Sequence, residues 1–155
     1  MRNFIKYFAL LLYVTMFATS AHASGIVASQ KAELKVVKLD SQGQEIITYE
    51  PASLVSPGET VKFTIEFENK HMDAVDDAVL IMPIPGEMVY LTHESNSNVY
   101  QTKLSYDDAK KFWGEGAFPE GYDPDTMVVT HIKWEFIEPI IANEAGSVSA
   151  YARLK

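Results

Sequence analysis

The clearest pattern in this chain is the run from Thr60 to Glu68. Val61, Phe63, Ile65 and Phe67 alternate with Thr60, Lys62, Thr64, Glu66 and Glu68. Side chains along a strand point to opposite faces in turn, so this run predicts a strand with one buried and one wet face. Ser56-Pro57-Gly58-Glu59 before it is a turn signal. The same alternation returns over Val129–Ile137, with Ile132, Trp134 and Phe136 on one side and His131, Lys133 and Glu135 on the other. It returns again over Gly146–Lys155, with Val148, Ala150, Ala152 and Leu154 inward. Trp134, at an inward position, is expected in the core.

Shorter apolar or β-branched runs predict further strands at Lys31–Leu39, Glu45–Tyr49, Ala78–Met82, Met88–Thr92 and Val99–Leu104. Turn residues separate them: Asp40–Gln44, the loop Pro51–Gly58 with its two prolines, and Ser95-Asn96-Ser97-Asn98. Pro83-Ile84-Pro85-Gly86 removes two ladder donors within three residues and predicts a sheet edge or a crossover between sheets. Ser24–Gln30 is small and polar and is expected to fray. One segment reads differently. Ser105 is placed to cap a helix, Asp107 and Asp108 suit its positive end, Lys110 and Lys111 its negative end, and Gly114 its close. One or two helical turns are expected over Ser105–Phe112. Seven or eight short strands with no long helix between them predict an all-β, immunoglobulin-like antiparallel β-sandwich with one short helical turn.

The N-terminus has a separate pattern. Arg2 and Lys6 precede an apolar stretch, Phe8–Ala18, and Ala21-His22-Ala23 offers small residues where a signal peptidase reads. Residues 1–23 are expected to be a cleaved signal peptide, leaving 24–155 as a single domain of about 130 residues. A domain of that length buries about two thirds of its unfolded surface, enough for an independent core. No Cys follows the apolar stretch, which excludes lipoprotein processing. A periplasmic or extracellular location is expected, with no membrane insertion once the signal is removed.

Charge and cysteine content narrow the chemistry. The formal charge of −8 becomes −10 on processing, because the signal carries two basic residues and no acidic ones. Such a chain repels nucleic acid and anionic headgroups. The absence of Cys rules out thiol chemistry and disulfides. No Gly-x-Ser-x-Gly elbow is present. His93-Glu94-Ser95-Asn96-Ser97 starts like a zincin helix but has Ser at the second ligand position. A non-enzymatic protein without a cofactor is expected.

The order of motifs resembles a bacterial conserved-repeat module, domain of unknown function eleven. The resemblance rests on Pro57-Gly58-Glu59, Val61 through Asn69, Pro83-Ile84-Pro85-Gly86 and Tyr90. Ser105 to Phe112 and Thr130-His131-Ile132-Lys133-Trp134 add to it. It covers about Lys31 to Lys155. The chain departs from the pattern at Lys70-His71-Met72, where Thr-Gly is common, and at Ala145-Gly146, where Pro-Gly is usual. The resemblance implies an exported immunoglobulin-like module with no known activity, of a kind usually found in cell-surface proteins, and supplies no catalytic residues; a structural or protein-interaction role in the bacterial cell envelope is expected.

Three ligand chemistries are open on the residues. Tyr106, Phe112, Trp113, Phe118 and Tyr122 lie in one loop region, as glycan- or peptide-binding aromatics do; the same rings can instead cap the end of the sandwich. Calcium has candidate ligands in Asp73, Asp76 and Asp77, or in Asp107, Asp108, Asp123 and Asp125. Copper has His71 and Met72 with Met82 and Met88, although core packing explains the last two more simply. The expected partner is an envelope protein, or a second copy joined by edge-strand pairing. The final strand, with nothing after it to cover it, is the expected free edge.

Overall fold

The computed structural model describes residues 25–155, so the expected signal peptide lies outside the described residues. Among the described residues nine strands form: β1 (Ile26–Leu39), β2 (Glu45–Pro51), β3 (Thr60–Asn69), β4 (Val79–Pro83), β5 (Met88–His93), β6 (Tyr100–Ser105), β7 (Trp113–Gly114), β8 (His131–Phe136) and β9 (Ala145–Leu154). They build two antiparallel sheets, ordered β2-β1-β3-β9-β5 and β4-β8-β6-β7, stacked as a sandwich. This is the immunoglobulin-like, all-β architecture expected from the alternating runs.

The core is made by the faces the alternation assigns inward. Across the β3–β9 ladder, Val61 opposes Ala152, Phe63 opposes Ala150 and Ile65 opposes Val148. Small residues on β9 leave room for large ones on β3. From the other sheet, Met82, Ile132 and Trp134 close the same cluster, each fully buried. A second cluster, Phe67, Ala78 and Ile140, seals one end. There Gly146 lies opposite Phe67, and a Cβ on it would come within 2.7 Å of the ring. Only glycine leaves that space for the ring.

The proline step acts as a crossover. β4 ends at Pro83 in the smaller sheet and β5 begins at Met88 in the larger one, and both are edge strands.

Three expectations are corrected. Ile26–Gln30 does not fray: it is the first part of β1 and pairs with Ile65–Asn69 of β3. Ile26 packs against the second cluster, and the order of the whole segment comes from its ladder with the partner strand. No helix forms after Ser105. Asp108 and Ala109 take φ of 59° and 64°, which a right-handed helix cannot accommodate. The Ser105 hydroxyl instead accepts bonds from the Asp107 and Ala109 amides and donates to Asp107 at 2.8 Å. The cap-like residues therefore stabilise a tight turn, and Gly114 belongs to β7, opposite Lys103. Finally, β9 is no free edge, because it lies between β3 and β5.

Candidate functional site

The five loop aromatics separate into three groups. Tyr106, Phe118 and Tyr122 pack on one another, with centroids 5.1 Å apart for Tyr106–Tyr122 and 4.4 Å for the stacked Phe118–Tyr122 pair. Phe112 lies under the Lys133 ammonium at 4.5 Å. Trp113 lies opposite Leu104 at the end of the β6–β7 ladder and carries the Lys111 ammonium 4.0 Å above its ring. Of the five, only Phe118 is mostly exposed, at 50 %. The loop turns its rings largely upon itself.

The acidic loops are similarly occupied. Asp107 accepts from the Lys111 amide and from the Ser105 hydroxyl, which hold its carboxyl below the ordinary range. Asp123 accepts from the Asp125 amide and the Thr126 hydroxyl. Among the described residues, no group of three His, Asp or Glu side chains is arranged to hold a metal ion. Met82 and Met88 lie in the core while Met72 is exposed, so the sulfur and imidazole groups do not converge.

His93 and Tyr90 face inward from β5, at the side of the sandwich nearest the loop. The Tyr90 hydroxyl and His93 Nδ1 are 2.6 Å apart, and His93 Nε2 is buried without a partner. Burial holds the His93 pKa below its ordinary value, against the opposing charge of Glu115, and burial lowers His131 likewise. Burial, with Tyr106 and Glu115, pushes Tyr90 up to about 12. A histidine whose folded pKa is lowered contributes stability that is complete above its ordinary value of 6.5 and is lost as pH falls through the folded value. Glu94, bonded by Lys62, and Glu135, bonded by Lys103 and Lys133, lose theirs in a lower window, below 4.5. The melting temperature is therefore expected to fall in two steps on acidification. His93→Gln should flatten the upper step only; an unchanged upper step in calorimetry would rule out the histidine contribution.

A groove of about 350 Å³ opens on the smaller sheet, lined by Asp77, Val79, Gln101, Glu135 and Ile137 among others. Glu135 within it is already held by Lys103 and Lys133.

The least satisfied surface is elsewhere, on the β1–β2 hairpin. β1 pairs with β3 only as far as Leu34, yet continues with β2 to Leu39. The last five residues of β1 and most of β2 thus project past the sheet as a two-stranded ribbon. Val37 and Ile47 lie opposite each other, and Lys35 opposes Tyr49 on the same face. Val37 is 50 % exposed, Leu39 70 %, Ile46 46 % and Ile47 49 %. Isolated exposed aliphatics are ordinary, but Val37, Leu39 and Ile47 share one face of the projecting ribbon, the grouped apolar exposure from which contact surfaces are made, with Ile46 on the other face. The sequence carries a faint signal for it. Ile46 and Ile47 are adjacent, so β2 is apolar on both faces, and an edge strand at the rim of a sandwich cannot bury both.

The four sheet edges differ in protection. β7 has two residues, β4 has five and ends in proline, and the β5–β9 register shifts between Tyr90 and Thr92. Shortness, proline and bulges all discourage added strands. β2 has seven residues in unbroken register with β1, no lysine, and proline only at its last position. No family model, curated protein or solved structure matches the chain, so the functional reading rests on the geometry of this hairpin.

Proposed function

We propose that the protein is an exported, non-enzymatic interaction module of the bacterial cell envelope, working in the periplasm or outside the cell, and that it makes its contacts through the β1–β2 hairpin. The observation that carries this reading is the exposed aliphatic ribbon along an unprotected edge strand. Strand addition at such an edge gives affinity through backbone hydrogen bonds and specificity through alternate side chains. The signal-like segment Phe8–Ala23 and the resemblance to an exported repeat module support the location. The mutual packing of Tyr106, Phe118 and Tyr122 supports a closing role for the aromatic loop over glycan capture.

The test uses cells making the full chain with a photo-crosslinking residue in place of Ile47 or of Val128, which is also exposed but lies in the loop before β8. Envelope adducts are expected from position 47 and not from 128. Equal labelling, or none at 47, would remove the hairpin as the contact surface.

A further inference from the structure

We infer that the strand added to β2 is β2 of a second copy, running antiparallel about a two-fold axis at Thr48. This rests on the reading of the hairpin as the contact surface and names its partner.

The free backbone groups can be identified from the ends of the hairpin. The Asp40 amide donates to the Gln44 carbonyl at 2.9 Å, and the Ala52 amide donates to the Ala32 carbonyl at 3.1 Å. These pairs lie directly opposite each other in the β1–β2 register, one at each end of β2. Hydrogen-bonded pairs alternate along an antiparallel ladder. The even-numbered residues of β2 therefore direct their N–H and C=O groups at β1. Glu45, Ile47 and Tyr49 present theirs outward, along with the Pro51 carbonyl. The exposed donors and acceptors thus belong to the residues that carry Ile47 and Tyr49 on the outer face.

β2 is seven residues long and Thr48 is its midpoint. Self-pairing about Thr48 engages the entire strand: Ile47 opposes Tyr49 of the second copy, Ile46 opposes Glu50, and Glu45 opposes Pro51. Ile47 and Tyr49 become hydrogen-bonded pairs, each exchanging two bonds. Proline falls only at the two ends, where its missing N–H costs one bond each. β-Branched–aromatic pairs are among the favourable cross-strand combinations. On the outer face Val37, Ile47 and Tyr49 of both copies then form one continuous apolar surface.

Charge favours this register on the inner face. Lys38 lies opposite Ile46 and is bonded to Glu50 of its own chain at 2.8 Å. Pairing about Thr48 sets Glu50 of the second copy in the same row as Lys38, with Ile46 between. Pairing about Ile47 would instead set Glu50 in one row with Gln44 and Asp40 of the second copy, like charge toward like. A seven-residue strand pair is small, below the ~1,200 Å² of a standard interface. The association is therefore weak and concentration-dependent.

The chain contains no cysteine, so single-cysteine variants report the register directly. Thr48 faces its own copy as a non-hydrogen-bonded pair, at a Cα separation of about 4.5 Å that suits a disulfide. Mature Thr48→Cys is expected to form a disulfide dimer under mild oxidation, and Glu45→Cys is not. Wild type should move from monomer to dimer with concentration in sedimentation. Ile47→Lys should raise the dimer dissociation constant about tenfold or more, with the melting temperature unchanged. Wild type that stays monomeric up to about millimolar concentration, or Thr48→Cys that oxidises no faster than Glu45→Cys, overturns the proposal. So does preferential linkage through Ile47→Cys, which would place the axis elsewhere. The photo-crosslink at position 47 separates the two levels. An adduct of twice the chain mass supports self-pairing. An adduct of another mass from a chain that is monomeric when pure overturns it while leaving the hairpin as the contact surface, and no adduct at all removes both.

Discussion

Phe63→Asp is expected to abolish folding. Phe63 is 2 % exposed, in the middle of β3, opposite Ala150. Truncating a buried Phe costs about 3–5 kcal/mol, and an unpaired carboxylate in the same place costs several more. The total is comparable with the whole stability of a domain this size, about 5–15 kcal/mol. Purified Phe63→Asp should show no cooperative thermal transition and collapsed amide dispersion in proton NMR. Glu66→Gln, three residues along on the exposed face of the same strand, should stay within about 0.5 kcal/mol of wild type. A folded Phe63→Asp chain would mean that β3 does not form the centre of the core.

The second large effect is expected at Asn69, the last residue of β3, which is fully buried. Its side-chain amide donates to the Asp73 and Ile140 carbonyls at 2.9 and 2.8 Å, and its carbonyl oxygen accepts from the His71 amide at 2.9 Å. Its backbone bonds to Glu144 and Asn143. One residue thus ties the loop after β3 to the segment before β9. Asn69→Asp removes two donors and sets a carboxylate against two carbonyl oxygens. The cost at neutral pH is expected to exceed about 3 kcal/mol. The sign with pH is distinctive. The new carboxyl would have a folded pKa raised above its unfolded value, so its penalty is full above the folded value and shrinks as pH falls through it toward the unfolded one. The His and Glu groups with lowered folded values are common to both chains, so their loss cancels in the comparison. The melting-temperature gap between the two should therefore narrow on acidification. A gap that is small, or that widens at lower pH, would show that the amide donors are not what holds this end of the sandwich together.

The parts of the fold that could be read from the sequence are those decided by burial. β3, β8 and β9 alternate because one face of each is buried, and the inward positions Phe63, Trp134 and Ala150 are buried as that pattern requires. Pro83 and Pro85 mark the crossover because a missing N–H has the same consequence in any context. The parts that could not be read are decided by partners distant in the chain. Ile26, Val27 and Ala28 are apolar in a row, so Ile26–Gln30 shows no alternation of its own and is ordered by β3. Ser105, Asp107 and Lys111 carry helix-cap chemistry, but the same hydroxyl and carboxylate satisfy a turn equally well, and the left-handed Asp108 and Ala109 decide between them. Position in the chain does not give position in a sheet, which is why β9 is central rather than an edge. The loop aromatics were legible as a group, but their division among Tyr122, Lys133 and Lys111 depends on contacts that no spacing encodes.

The central place of β9 also governs when the fold can exist. β5 reaches the larger sheet only through β9, and β9 itself joins β3 across 85 residues of chain, as in the Thr64–Ser149 hydroxyl contact at 3.1 Å. Closing a loop of that length costs entropy before any pairing repays it, and ladders of this kind form slowly. While the chain is being made, β1, β2 and β3 can pair with one another, but β5 has no neighbour to join until Ala145–Leu154 has emerged. The larger sheet therefore cannot close until Ala145–Leu154 has been made, and any chain that stops short of that segment leaves β5 without a neighbour.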